Sequence, residues 1–144
     1  MKQNYSDKIK YYNLIEKYCL LQFTNIAVIG SLKHPLLIDS LKKHKLNVTE
    51  IDHDYFTEKI NVLKFNVVFE EYNWKLHDLI IVMCGEHIYP LPKMVSGHYV
   101  YIIKKHPHIV QRACTNTFSD LGLIEHQVIE CEKIKMIIGE SNAT

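Results

Sequence analysis

The residues of this chain best suited to chemistry follow directly on its apolar runs. Gly30-Ser31 closes the run NIAVI, residues 25–29. A glycine there lets the backbone turn tightly and approach a ligand closely, and a helix starting behind it offers free N–H groups. Asp52 ends NVTEID (47–52). A carboxylate about twenty residues beyond such a turn can accept two hydrogen bonds from a ribose. Each also has a plain reading: Ser31 as a helix cap, Asp52 as a solvated loop carboxylate or the cap of a helix near Tyr55. Glu86 and His87 come just after LIIVM (79–83). Histidine titrates near neutrality and can deprotonate a nucleophile, so this pair is the candidate catalytic acid/base, with exposed loop residues as the alternative.

Nine histidines and four cysteines raise the question of a metal. Cys84-x-x-His87 and His106-x-His108 could converge from neighbouring strand ends, but neither is a standard zinc pair with a matching partner. No metal is expected. Cys84 with His87 has no evident orienting carboxylate or oxyanion hole, so a cysteine nucleophile is not expected either. Tyr89, Tyr99 and Tyr101 are expected at the edge and rim of the core.

The elements that must position these groups can be read from periodicity. Residues 6–22 predict an amphipathic helix capped by Ser6, with Asp7 in its first turn and Ile9, Leu14, Ile15, Tyr18 and Leu21 at helical spacing. NIAVIG (25–30) predicts a buried strand and turn. A helix follows, with Pro35 in its first turn and a stripe of Leu36, Leu37, Ile38 and Leu41 ahead of Lys42 and Lys43. NVTEID is a second strand; a short helix over 55–62 and a strand around Asn66–Phe69 come next. LIIVM, apolar and rich in β-branched residues, belongs at the centre of a sheet. HYVYII (98–103) is another strand and Pro107–Cys114 a helix. LIEHQVIE and KIKMIIG, within 121–139, read as a hairpin with a turn near Cys131-Glu132 and one wet face. Strands separated by helices imply parallel βαβ units with right-handed crossovers.

The 144 residues suit one domain, 1–144. Hydrophobic residues make up 47% and charged residues 23%, an ordinary globular balance that argues against disorder. Lys+Arg total 17 against 16 Asp+Glu, a net charge of +1, which supplies no electrostatic reason for a nucleic-acid or anionic-membrane partner. Basic pairs such as Lys42-Lys43 and Lys104-Lys105 suit solvated element ends. Cys19, Cys84 and Cys131 lie in or beside apolar runs, where a reduced thiol behaves as a small hydrophobe. With a polar N-terminus and no apolar run of spanning length, a cytoplasmic location is the expectation.

This order of elements resembles class I S-adenosylmethionine-dependent methyltransferases across residues 25–139. IAVIGS looks like their first strand and glycine turn, EID ending at Asp52 like their ribose-binding acid, and HDLIIVMCGEHI like their fourth strand and following loop. LGLIEHQVIE looks like the turn into their terminal hairpin. The resemblance implies a Rossmann-like, mostly parallel sheet flanked by helices with a C-terminal antiparallel hairpin. It implies S-adenosylmethionine as cofactor across Gly30, Ser31 and Asp52, with Cys84 and Gly85 beside it and Glu86 or His87 assisting a small-molecule acceptor. Glu70, after the third strand, is placed to reach the adenine amine or to form a solvated strand end. Leu32, Lys33 and His34 stand where the family has small residues. The run G-S-x-x-x-P-L-L is similar to nicotianamine synthases, which transfer an aminocarboxypropyl group. Two functions follow: a small S-adenosylmethionine-using transferase, or a degenerate methyltransferase-like subunit that scaffolds or regulates a partner protein. In either case short loops leave the cleft open, so a homo-oligomer or hetero-complex is expected.

Overall fold

The computed structural model describes residues 2–52, 58, 61–64, 72–83, 97–104, 123–130 and 134–141, with 2–8, 104, 123, 125 and 141 described by backbone alone. The elements are α1 (Lys2–Gln22), β1 (Asn25–Ile29), α2 (Pro35–Lys43), β2 (Asn47–Asp52), β3 (Val62–Lys64), β4 (Leu79–Val82), β5 (His98–Lys104), β6 (Leu123–Glu130) and β7 (Ile134–Ser141). Short 3-10 turns occupy Ser31–Lys33 and Trp74–Leu76. The strands form one sheet in the order β3-β2-β1-β4-β5-β7-β6. Every pairing from β3 to β5 is parallel, and β7 runs antiparallel to both β5 and β6. This is the Rossmann-like α/β sheet with a terminal hairpin that the sequence predicts.

Apolar runs without alternation bury both faces of the central strands. Ile26 and Val28 of β1 join Leu79 and Ile81 of β4 in one cluster beneath the helices, with Leu37, Ile38 and Leu41 of α2. Ala27, Ile29, Ile80 and Val82 face the opposite cluster, with Trp74. LIIVM thus supplies the middle strand of the seven, as expected.

Several expectations are corrected. The first helix begins at Lys2, so Ser6 lies inside it and does not cap it. Its buried line is Tyr11, Ile15 and Cys19, continued by Phe23, whereas Ile9 is 46% and Leu21 70% exposed. Apolar and aromatic residues lie all round this helix, so docking against the sheet selects the buried line. Glu16 turns toward α2, accepting hydrogen bonds from Ser40 at 2.6 Å and from the His44 ring at 2.7 Å. Leu36 is exposed, because only Leu37, Ile38 and Leu41 of α2 face the sheet.

The helix expected over 55–62 does not extend to its end. Glu58 lies outside any helix, Asn61 is in a turn, and Val62 opens β3. Pairing of Val62, Leu63 and Lys64 with Glu50, Ile51 and Asp52 outweighs the local helical spacing. The strand expected at 66–69, the helix at 107–114, the turn at Cys131-Glu132 and Tyr89 lie outside the described residues. Tyr99 and Tyr101 are no rim: at 1% and 2% exposure they share the core face of Ile103. Alternation along β5 points all three the same way. β6 keeps its predicted bounds, with a bulge between Glu125 and Gln127, and carries exposed Ile124 and Val128. β7 has no wet face through Met136, Ile137 and Ile138, because Met136 and Ile138 face the cluster beneath the helices and Ile137 faces the opposite one. Cys19 is a free, fully buried thiol. No helix among the described residues is long and apolar enough to cross a membrane.

Candidate functional site

From β1 the chain moves outward through β2 to β3, while β4 and β5 lie on the other side of β1. The strand order therefore reverses between β1 and β4, and the crevice outside their carboxyl ends is where open α/β sheets hold ligands. Gly30 stands at that point with φ +80°, a left-handed conformation that favours glycine. Its N–H donates to the Ile51 carbonyl at 2.8 Å, carrying the ladder one residue beyond the strands. The chain then folds into the 3-10 turn, where the His34 N–H donates to the Ser31 carbonyl at 2.9 Å. Pro35 follows in the first turn of α2, its fixed φ suited to that place.

Asp52 is the last residue of β2 and is 7% exposed. Its Oδ2 accepts the Leu32 N–H at 3.2 Å. Gly30, Ser31 and Asp52, far apart in sequence, thus form one unit. Ser31 is fully buried there, and its Oγ has no hydrogen-bond partner among the described residues. On the other flank the Met83 N–H donates to the Ile29 carbonyl at 2.9 Å, which sets Met83, the start of the segment after β4, beside Gly30. Cys84, Gly85, Glu86 and His87, which begin that segment, and Glu70 lie outside the described residues. The structure brings together three of the eight expected site residues and leaves the other five undescribed.

Two neighbours of this unit are not visible in the sequence pattern. Tyr12 of α1 forms a hydrogen bond through its hydroxyl to Nδ1 of His34, the residue that precedes α2. The two rings meet edge to face at 5.7 Å. Burial pushes the Tyr12 hydroxyl up to about 12, against a smaller lowering by a hydrogen bond with Tyr11, so it remains a protonated donor at physiological pH. The separation of 22 in sequence between Tyr12 and His34 obeys no local rule, and only the docking of α1 joins them.

The opposite end of the sheet sets the register of this crevice. Asp78, just before β4, accepts the Thr24 N–H (2.9 Å) and hydroxyl (3.1 Å) on Oδ2 and the Asn25 N–H (3.0 Å) on Oδ1. Its own N–H returns to the Asn25 carbonyl at 2.9 Å. Beside it His77 stacks on Tyr72 and shares a 2.7 Å hydrogen bond with its hydroxyl. Burial holds the His77 imidazole below its ordinary range, with Asp78 opposing. Among the described residues no group of His, Cys, Asp and Glu is arranged to hold a metal.

No family model and no curated protein matches this sequence. Solved structures do match its shape. The PH0226 protein of Pyrococcus horikoshii OT3 superposes with a TM-score of 0.69 at 8% identity, over 96% of this chain and 92% of that one. The Mtq2–Trm112 complex of E. cuniculi, responsible for methylating the eRF1 translation termination factor, gives 0.61 at 12% identity, over 94% and 95%. Magnesium protoporphyrin IX methyltransferase from Synechocystis PCC 6803, solved with bound SAM, gives 0.59 at 7% identity, over 97% and 83%.

Proposed function

We propose that this chain, whose fold is that of the class I S-adenosylmethionine-dependent methyltransferases, binds S-adenosylmethionine and transfers its methyl or aminocarboxypropyl group to a small molecule. The observation that carries this reading is the joined unit of left-handed Gly30, buried Ser31 and Asp52 at the reversal of strand order. A fully buried hydroxyl with no partner among the described residues is costly unless a ligand satisfies it, which suits a polar cofactor at this turn.

When bound, the cofactor supplies a carbon made electrophilic by its sulfonium. The chain's own tasks are alignment and exclusion of water, which suffice for much of the rate of such a transfer. Asp52 accepts the ribose hydroxyls while its Oδ2 keeps the Leu32 amide, and Gly30 and Ser31 present backbone and hydroxyl to the cofactor. Cys84 and Gly85 line the same crevice, Glu70 meets the adenine amine, and Glu86 or His87 takes a proton from the acceptor. The protein works in the cytoplasm as a homo-oligomer or in a hetero-complex, without nucleic acid or membrane as partner.

A second reading is favoured by the turn itself. Leu32, Lys33 and His34 narrow the loop, and the Leu32 amide already engages Asp52. A subunit that scaffolds or regulates a partner protein would tolerate both, and Mtq2 was solved in complex with Trm112.

Calorimetric titration with S-adenosylmethionine and S-adenosylhomocysteine, with Asp52→Ala alongside, separates the two. The transferase reading expects micromolar binding by the parent chain. Loss of two hydrogen bonds to a charged group, together about 3 kcal/mol, would weaken it by ~100-fold in the variant. Absence of binding at millimolar ligand would overturn it in favour of the subunit.

A further inference from the structure

The N-terminal helix runs from one end of the sheet to the other. Its Tyr12 meets His34, which follows the carboxyl end of β1. Phe23, just past its C-terminus, packs against His98 at 5.2 Å between ring centroids, and His98 opens β5 at the amino-end side. The rise from Tyr12 to Phe23, about 1.5 Å per residue, is ~16 Å, the length of a five-residue strand such as β1. Lys2–Tyr11 remains helical beyond that point. This gives about 15 Å of helix on the side of the strand carboxyl ends, past the level of the Gly30–His34 turn.

Between this overhang and the turn stands the Tyr12 hydroxyl. His34 carries two connections at once: its N–H closes the 3-10 turn on Ser31, and its carbonyl accepts the Ile38 N–H at 3.2 Å in the first turn of α2. Whatever fixes the His34 ring therefore fixes the backbone that leads back to Leu32, whose amide is held by Asp52.

We propose that Tyr12 is a positioning residue for the cofactor turn, and that through His34 it couples the overhanging start of α1 to occupancy of the crevice below. The inference rests on the cofactor reading for its occupant but not for the tie itself. Binding at Gly30–Asp52 stiffens the turn, and the stiffened turn holds α1 over the crevice through a hydrogen bond that is lost without the hydroxyl. By reciprocity, loosening α1 weakens the ligand by the same factor. The domain then supplies part of its own cover.

The test uses the full chain, its Tyr12→Phe and His34→Gln variants and the double variant. Phenylalanine keeps the ring packing and removes only the hydroxyl. Backbone hydrogen exchange without ligand is expected to quicken at Gly30–His34 in Y12F while α1 from Asn13 to Gln22 stays as protected as in the parent. With S-adenosylhomocysteine, the parent should gain protection over Lys2–Tyr11, and Y12F should lose that gain and bind ~3–10-fold more weakly, the worth of one hydrogen bond. If Tyr12 acts through His34, adding Y12F to H34Q changes affinity no further. Unchanged exchange at the turn in Y12F overturns the tie. Equal affinity of parent and Y12F overturns the coupling. A parent chain that binds no S-adenosylhomocysteine defeats the cofactor reading, and the ligand-free exchange then still decides the tie.

Discussion

Asp78→Ala should lower the melting temperature more than any other substitution of an accessible polar residue in this sheet. The carboxylate accepts three hydrogen bonds from Thr24 and from Asn25, the first residue of β1, while its backbone N–H donates to the same strand. Hydrogen bonds to a charged acceptor are worth about 1.5–3 kcal/mol when buried, but these are solvent-accessible, so about 1 kcal/mol each is the better figure. The alanine variant then loses about 2–3 kcal/mol. An unfolding entropy of about 2.1 cal/mol/K per residue over 144 residues gives ~0.3 kcal/mol/K, so the midpoint falls by ~8 °C. Differential scanning calorimetry on parent, Asp78→Ala, Asp78→Asn and Thr24→Val provides the assay. Asparagine, which keeps one acceptor without charge, should show about half the loss, and Thr24→Val about a third. An alanine variant within ~2 °C of the parent would mean that water replaces the carboxylate at no cost, and the reasoning would fail.

Gly97→Ala is expected to cost about 1–2 kcal/mol in urea denaturation, because Gly97 has φ +65° and an added Cβ would sit 3.2 Å from the Asp78 carbonyl oxygen. Combined with Asp78→Ala it should fall short of additivity, since the two sites share one backbone contact. Acid should loosen the helix pair. The Ser40 hydroxyl, and after it His44, hold the Glu16 carboxyl below its ordinary range. The stability this gives is present above the unfolded pKa of about 4.3 and is lost as pH falls through the lower folded value. In melting curves between pH 6 and 3, Ser40→Ala should flatten that acid-side decline, and an unchanged slope would count against it. Burial pushes the Cys19 thiol up to about 12, so at neutral pH an alkylating reagent should leave Cys19 unmodified in peptide mass spectra until denaturant is added.

Much of the fold was legible because its strands are marked twice, by apolar β-branched runs and by the turn residues that bound them. NVTEID and LIEHQVIE keep their predicted bounds, and LIIVM takes the centre. The elements that went astray are those where local pattern and tertiary pairing compete. The helix expected over 55–62 gave way at its end, where Val62 opens the parallel pairing of Val62–Lys64 with β2, and the N-terminal helix turned a different line inward because apolar residues lie all round it. Tyr99 and Tyr101 look amphipathic as residues, yet strand alternation puts both in the core. At the site, Gly30, Ser31 and Asp52 were legible because a tight turn and a strand end constrain residue type. Tyr12, His34 and the Asp78 clamp were not, since each depends on a partner that only docking brings near.

One cluster beneath the helices joins Tyr11 and Ile15 of α1 to Ile134, Met136 and Ile138 of β7. The first and the last of the described elements are thus sealed against each other, and β7 must enter between β5 and β6 before β6 can join the sheet. A ribosome making this chain therefore holds an unfinished apolar face until β7 emerges. Until then the exposed flank of α1 and the open edge of β5 are targets for chaperones or for another nascent copy. Docking of β7 onto α1 and β5 is thus a late, long-range step, and it is the point at which yield is won or lost in expression.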